Sequence, residues 1–288
     1  MKTLFVLFLL FISTISLFAN PEPREQLAEL SLDQLINKAT RQRMLSQRIA
    51  KCYFAIGMNL ETKFYQLQMT DAASTYKKQL AELKTAAPTP EMLAKLKAVE
   101  TIFQDYEKLV FAPIERANAL QVLQTSEVLL GHCNEVIMSL CAMAENLPQN
   151  LNEKISNKEY AKLLADVGMN RMLTQRVSLL YLANLWEIDT EHNKTKIDQV
   201  LFLFSQNLQE MQKLTQNTEQ INEYIFEVLG EWRFVAKACL YLDEQNRAEA
   251  VRFLEKSDFS ANTIHKLASL YEKLFDLDSG SLSNQGKN

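Results

Sequence analysis

Along most of the chain, apolar residues recur every three or four positions in long stretches, separated by short polar or proline-bearing breaks; this period is helical. In the first half the breaks are "APTPEM" with Pro88 and Pro90, "FAPIE" with Pro113 and "NLPQN" with Pro148, while Pro21 and Pro23 lie near the start. Proline inside a helix removes a hydrogen bond and clashes with the preceding turn. The breaks therefore predict four helices, over roughly Ser31 to Met58, Glu61 to Ala86, Glu91 to Ala112 and Ile114 to Asn146. No proline follows Pro148, yet the polar breaks "DTEHN", "TQNTEQ" and "DEQNR" cut the second half into four similar pieces. With only 6 Gly and 6 Pro, and with Leu, Ala, Glu, Gln and Lys abundant, the expected fold class is all-α: two tandem antiparallel four-helix bundle units.

The halves share more than a count of helices. Arg43, Met44, Leu45, Gln47, Arg48, Tyr53 and Ala55 return 128 positions later as Arg171, Met172, Leu173, Gln175, Arg176, Tyr181 and Ala183. Ser46 faces Thr174, and Leu80 and Glu82 of the second helix pair with Leu208 and Glu210. Shared helical composition alone does not place five identities in register within "RMLSQR" and "RMLTQR", so the pattern reads as an internal duplication. The expected division is a leader over 1–19, units over 20–148 and 149–276, and a disordered tail over 277–288.

The leader, "MKTLFVLFLLFISTISLFA", carries one basic residue, Lys2, ahead of an apolar run. It reads as a signal peptide cleaved after Ala19, which places the mature protein in the periplasm. The alternative is an N-terminal membrane anchor, although the run falls short of the ~20 apolar residues that span a bilayer. No later segment resembles a membrane span. Loss of Lys2 takes the net charge from −4 to near −5, which does not suggest a nucleic-acid partner. Cys52, Cys133, Cys141 and Cys239 each sit in an apolar helical pattern and are expected as buried thiols, with a Cys52–Cys239 disulfide as the alternative. Cys133 and Cys141, eight residues apart on one helix, stand about 12 Å apart and cannot pair.

The repeated arginines carry the chemistry. At about 100° per residue, Arg43 shares a face with Thr40, Ser46 and Ala50, and Arg171 with Gly168, Thr174 and Ser178. Such small-residue faces admit a second helix closely. A guanidinium there costs several kcal/mol unless something negative meets it, and acidic residues are scarce nearby. If the two helices pack on each other, Arg43 and Arg171 converge and repel unless an anion lies between them. A planar fork of donors suits a carboxylate or planar oxyanion. Thr40, Ser46 and Thr174 could add hydroxyl donors, and Gly168 could let backbone approach the ligand. Arg48 and Arg176 lie about 140° further round, beside Met44 and Leu45 or Met172 and Leu173, and are expected as supporting residues in ion pairs within each bundle.

"INKATRQRMLSQRIAKCYF" resembles the signature helix of the PilJ-type domain, the N-terminal periplasmic domain of type IV pili methyl-accepting chemotaxis transducers. It is also similar to the nitrate-binding helix of nitrate/nitrite sensor kinases. "ADVGMNRMLTQRVSLLYLA" is a second, shorter match. In those kinases the arginine before the methionine comes from each of two subunits and clasps one nitrate. The resemblance thus implies an intramolecular pseudo-dimer with Arg43 and Arg171 as the clasp. It further implies nitrate, nitrite or a small carboxylate as ligand, and a membrane-bound sensor or chemoreceptor as partner. The family's glycine before this arginine is present as Gly168 and replaced by Thr40 in the first copy. No kinase or methyl-accepting region is legible, so the expectation is a module that senses and reports rather than signals alone.

An enzyme would need a nucleophile with its base, a metal set or a carboxylate pair in a cleft. His132, His192 and His265 are scattered without ligand spacing and no phosphate-binding glycine loop occurs, so no catalytic residue, metal or cofactor is expected. The competing reading is a helical interaction protein whose arginines form structural salt bridges and bind no ligand.

Overall fold

The computed structural model describes residues 30–147, 155–241 and 247–280, and among these it contains eight α-helices and no strand. They are α1 (Leu32–Gly57), α2 (Thr62–Thr85), α3 (Pro90–Phe111), α4 (Arg116–Glu145), α5 (Asn157–Leu185), α6 (Thr190–Gln212), α7 (Glu219–Leu240) and α8 (Arg247–Gly280). The four helices expected in the first half lie within two residues of their proline-set bounds. The expected leader, Pro21, Pro23 and the join at Pro148 fall outside the described residues. The start of the expected disordered tail is instead helical, since α8 continues to Gly280.

α1 packs against α2 and α4, with α3 closing on α4; α5 packs against α6 and α8, with α7 closing on α8. The two four-helix groups meet chiefly through α1 and α5, and secondarily through α4 and α5. This central place explains why α1 and α5 are buried almost all round, from Leu35 to Ile56 and from Leu163 to Asn184. A helix apolar on one stripe only would leave polar residues on the outside. Here Thr40, Gln42, Ser46, Gln47 and Lys51 of α1, and Asn170, Thr174, Gln175 and Ser178 of α5, are buried too.

The recurrence at 128 positions extends into the backbone. The turn after α1 holds Asn59 and Glu61 in left-handed conformation (φ 57° and 38°), and the turn after α5 holds Glu187 and Asp189 there (φ 55° and 53°). Leu60 N–H donates to the Ala55 carbonyl in one turn and Ile188 N–H to the Ala183 carbonyl in the other. Gln42 donates to Gln79 of α2, and Asn170 accepts from Asn207 of α6 at the corresponding places. Between α2 and α3 Tyr76 stacks on Phe103 with ring centroids 3.9 Å apart, while between α6 and α7 Phe204 stacks on Trp232 at 3.6 Å. Thr89 and Thr218 cap α3 and α7 by accepting from Met92 N–H and Ile221 N–H.

Two expectations need correction or completion. α4 does reach the length and mean hydropathy (1.2) of a membrane span. One face of it, with Val122, Leu129, Val136 and Leu140, is buried in the core where α4 packs against α1, α3 and α5, while Leu120, Val128 and Met138 are exposed. All four cysteines are free, with Cys52, Cys133 and Cys239 buried and Cys141 half-buried, so the Cys52–Cys239 bridge does not form. Burial pushes the Cys52 and Cys239 thiols up to about 12 and Cys133 to about 11, leaving them protonated and unreactive.

Candidate functional site

The α1–α5 contact is set by small residues at both ends. At one end Gly168 lies against Thr40, where an added Cβ would stand 2.3 Å from the Thr40 Cβ. At the other, Gly57 lies under the Trp186 ring, which also packs edge-on against Phe54 at 5.5 Å between centroids. Gly168 therefore admits the neighbouring helix, not a ligand to its backbone, which corrects the sequence expectation. Thr40 in place of glycine supplies the volume that Gly168 vacates.

Between these ends the repeated motifs cross reciprocally. Arg48 Nε donates to Gln175 Oε1 at 3.4 Å, and Arg176 donates to Gln47 Oε1 at 3.2 Å, so each copy's second arginine reaches the other copy's glutamine. Arg43 donates to Asn134 Oδ1 (3.0 Å) and to the carbonyl of Ala165 (3.2 Å). Arg171 donates to Asn37 Oδ1 (2.8 Å) and to Thr40 Oγ1 (3.3 Å). Residues 37 and 165 are 128 apart, so each first arginine also reaches the same place on the opposite helix. This is the i-to-j and j-to-i pattern of a two-fold interface, written within one chain.

Arg43 and Arg171 are 3% and 5% exposed. Among the described residues neither has a carboxylate within 4.0 Å, and the Nε of each is buried with no hydrogen-bond partner. Burial lowers Arg43 to about 10, with the Arg171 charge acting in the same direction. Burial also lowers Arg171 to about 10, partly offset by Glu272. Both remain cations at neutral pH. The nearest compensation for Arg171 is relayed, because Asn37 accepts from Arg171 with its oxygen and donates to Glu272 with its nitrogen.

The other expected site residues divide. Thr40 touches Arg171, as above. Ser46 and Thr174 instead donate their hydroxyl hydrogens back to the carbonyls of Arg43 and Arg171, both at 2.8 Å, the local bond that short hydroxyl side chains favour in helices. They brace the backbone behind each arginine and offer no free donor in front. Arg176 does pair with a carboxylate, Glu127 at 3.1 Å, but that residue belongs to α4 of the other four-helix group. Arg48 has no carboxylate within 4.0 Å among the described residues. The expected pairs within each bundle are thus replaced by contacts between groups. A helical wheel fixes the direction of Cβ, whereas a long arginine side chain runs a further turn along its neighbour.

Sequence reasoning missed Asn37 and Glu272, which carry no repeated signal, and also Asn134, which returns 128 positions later as Asn262, and it gave Gln47 and Gln175 no role although both stood in the repeated block. It also missed a buried ion pair between the groups, Lys51 Nζ to Asp258 Oδ1 at 2.7 Å, with Lys51 wholly buried beside the Tyr65 ring. The residue at the corresponding place on α5 is Leu179.

No curated protein and no solved structure matches the chain. Residues 29–129, which take in α1 to α3 and the first half of α4 with Arg43 and Arg48, match PilJ, the type IV pili methyl-accepting chemotaxis transducer N-terminal domain.

Proposed function

We propose that the chain is a periplasmic sensory module that takes a small anion, such as nitrate, nitrite or a small carboxylate, between α1 and α5, and reports to a membrane-bound sensor or chemoreceptor. One observation carries this reading: two buried guanidiniums face each other's helix across α1 and α5 with an orphaned Nε each and no carboxylate within 4.0 Å among the described residues. An uncompensated buried charge costs several kcal/mol. An anion accepting from both would remove that cost and the mutual repulsion together. The chain's second half then acts as a second PilJ-like copy, a reading supported by the recurrence of motif, turn and aromatic stack. Export through the leader would place the module in the periplasm. The anion would favour one setting of the α1–α5 crossing over another, and a partner would read that difference.

A second reading is favoured by the hydrogen bonds to Asn37, Asn134, Thr40 and the Ala165 carbonyl, which hold the arginines without any ligand. In this reading the module is a helical interaction protein. Thermal unfolding separates the two. An anion at a hundred times its dissociation constant should stabilise the fold by about 2.7 kcal/mol, which raises the melting temperature by roughly 5 to 10 °C in a chain of this size. For a binding site, Arg43→Ala or Arg171→Ala abolishes that shift and leaves the unliganded protein about as stable as before. For purely structural arginines, the same changes strand partly buried acceptors at up to about 1–3 kcal/mol each, and no tested anion moves the wild-type melting temperature.

A further inference from the structure

Arg171 is not sealed on all sides. It lines a cavity of about 90 Å³ together with Arg41, Met44 and Arg48 of α1 and Asn262 and His265 of α8. Arg41, Arg171 and His265 also line an adjoining cleft of about 350 Å³ that runs out past Lys38 and Glu272. Arg43 lines neither. Several surface cations of the first group are paired, as in Lys38–Glu82 at 2.7 Å and Lys84–Glu100 at 2.6 Å. One turn from Lys38, Arg41 has no such partner: among the described residues, no carboxylate lies within 4.0 Å of Arg41, Arg48 or Arg171. Three guanidiniums and an imidazole thus share one small concavity with no counter-charge on its wall. In a partly desolvated cavity their mutual repulsion is screened far less than on an open surface. Among the described residues the outer cleft carries one acidic group, Glu272, which accepts from Asn37, and Glu255 and Asp258 line a separate cavity on the other side of Asn262.

We propose that this cavity is a second anion site, distinct from the α1–α5 clasp, that takes a compact tetrahedral dianion on Arg41, Arg48, Arg171, Asn262 and His265. The small cavity has room for several waters and hence for a sulfate- or phosphate-sized group. Three fixed cations favour a doubly charged ligand over a singly charged one. The outer cleft gives space for the remainder of a small organic molecule if the dianion is its head group. The corresponding place around Arg43 keeps Arg176 and Asn134 but has Met169 and Ile137 where this site has Arg41 and His265, so the two halves are functionally unequal. It shares Arg171 with the clasp but does not depend on nitrate binding there.

Calorimetric titration of the mature chain at constant ionic strength tests this, with sulfate as the free-ion probe and glycerol phosphate as the head-group probe. Charge-assisted hydrogen bonds of this kind contribute about 1.5–3 kcal/mol, so loss of one should weaken binding about tenfold or more. Arg41→Ala and Asn262→Asp should each do so, whereas Arg43→Ala, which removes the clasp, should leave sulfate affinity unchanged. Asn262 is exposed, so its substitution leaves the fold intact and reads the site alone. Tighter binding of glycerol phosphate than of sulfate assigns a head group, and the reverse order assigns a free ion. Absence of saturable binding by either probe, or full affinity in both Arg41→Ala and Asn262→Asp, overturns the proposal. A protein that ignores nitrate but binds sulfate in this pattern separates this site from the α1–α5 reading.

Discussion

Arg43 and Arg171 stand 128 residues apart at the same place in two like helices, each crossing to the opposite helix, yet one is enclosed and the other opens onto a cationic cleft. The difference comes from their neighbours. α4 lies beside Arg43 and offers Asn134, a neutral acceptor that finishes the enclosure. α8 lies beside Arg171 and leaves the cavity walled by Asn262 and His265. Repetition therefore reproduced the crossing and the asparagine of the fourth helix, Asn134 in α4 and Asn262 in α8, while the residues around it, His265 in place of Ile137 and Arg41 in place of Met169, set what each arginine can meet. The same division appears at Lys51, whose place on α5 is taken by Leu179.

The buried ion pair breaks the comparison most sharply. Asp258→Ala strands the wholly buried Lys51 and should cost about 3–5 kcal/mol, read as a large drop in the denaturant midpoint. Adding Lys51→Leu, which copies the residue at the corresponding place on α5, should recover most of that loss, because a buried pair can often be replaced by apolar side chains at little cost. If the double variant is no more stable than Asp258→Ala alone, the Lys51 charge is not what the aspartate serves.

The small-residue crossing comes next in size. Gly168→Ala puts a methyl where Thr40 already stands and should cost about 1–3 kcal/mol by overpacking, although alanine is the better helix former. Thr40→Gly in the same chain should restore stability by vacating the space, while Thr40→Gly alone leaves a cavity. Chemical denaturation of the four proteins forms the cycle, and additive losses would show that the two residues do not meet.

These two sites also show what the sequence made legible. Proline positions and the helical period placed α1 to α4 within two residues, because both act locally along the chain. The duplicated block singled out Arg43 and Arg171, because a charge on a small-residue face is visible in a helical wheel. Contacts made by long side chains across helices were not visible in that way. Arg176 finds Glu127, Lys51 finds Asp258, and Ser46 and Thr174 turn back on their own helices, none of which a wheel distinguishes from its alternatives. Gly168 was recognised as a point of close approach, but only the packing showed that Thr40, rather than a ligand, approaches it.

The smallest expected effect is a pH dependence that sharpens the inequality of the halves. Burial, then the charges of Arg171, Arg41 and Arg48, lower His265 below the ordinary histidine range, so the folded protein resists its protonation. The charged groups facing this wall are Arg41 and Arg48 from α1 and Arg171 from α5, with Glu272 on α8 itself at the outer cleft. The unfolded chain takes up the proton near pH ~6.5 and the folded chain only at lower pH. The stability associated with neutral His265 is therefore complete above that value and declines as pH falls towards the folded-state pKa. Melting temperatures measured from pH 7.5 down to pH 5 should fall more steeply for the wild type than for His265→Gln. Sulfate, which stays dianionic throughout this window, should remove or invert that difference, since an anion in the cavity makes the imidazolium welcome. Equal slopes for the two proteins in the absence of sulfate would mean that the three guanidiniums do not act on His265, and the second half would then be no more cationic in function than the first.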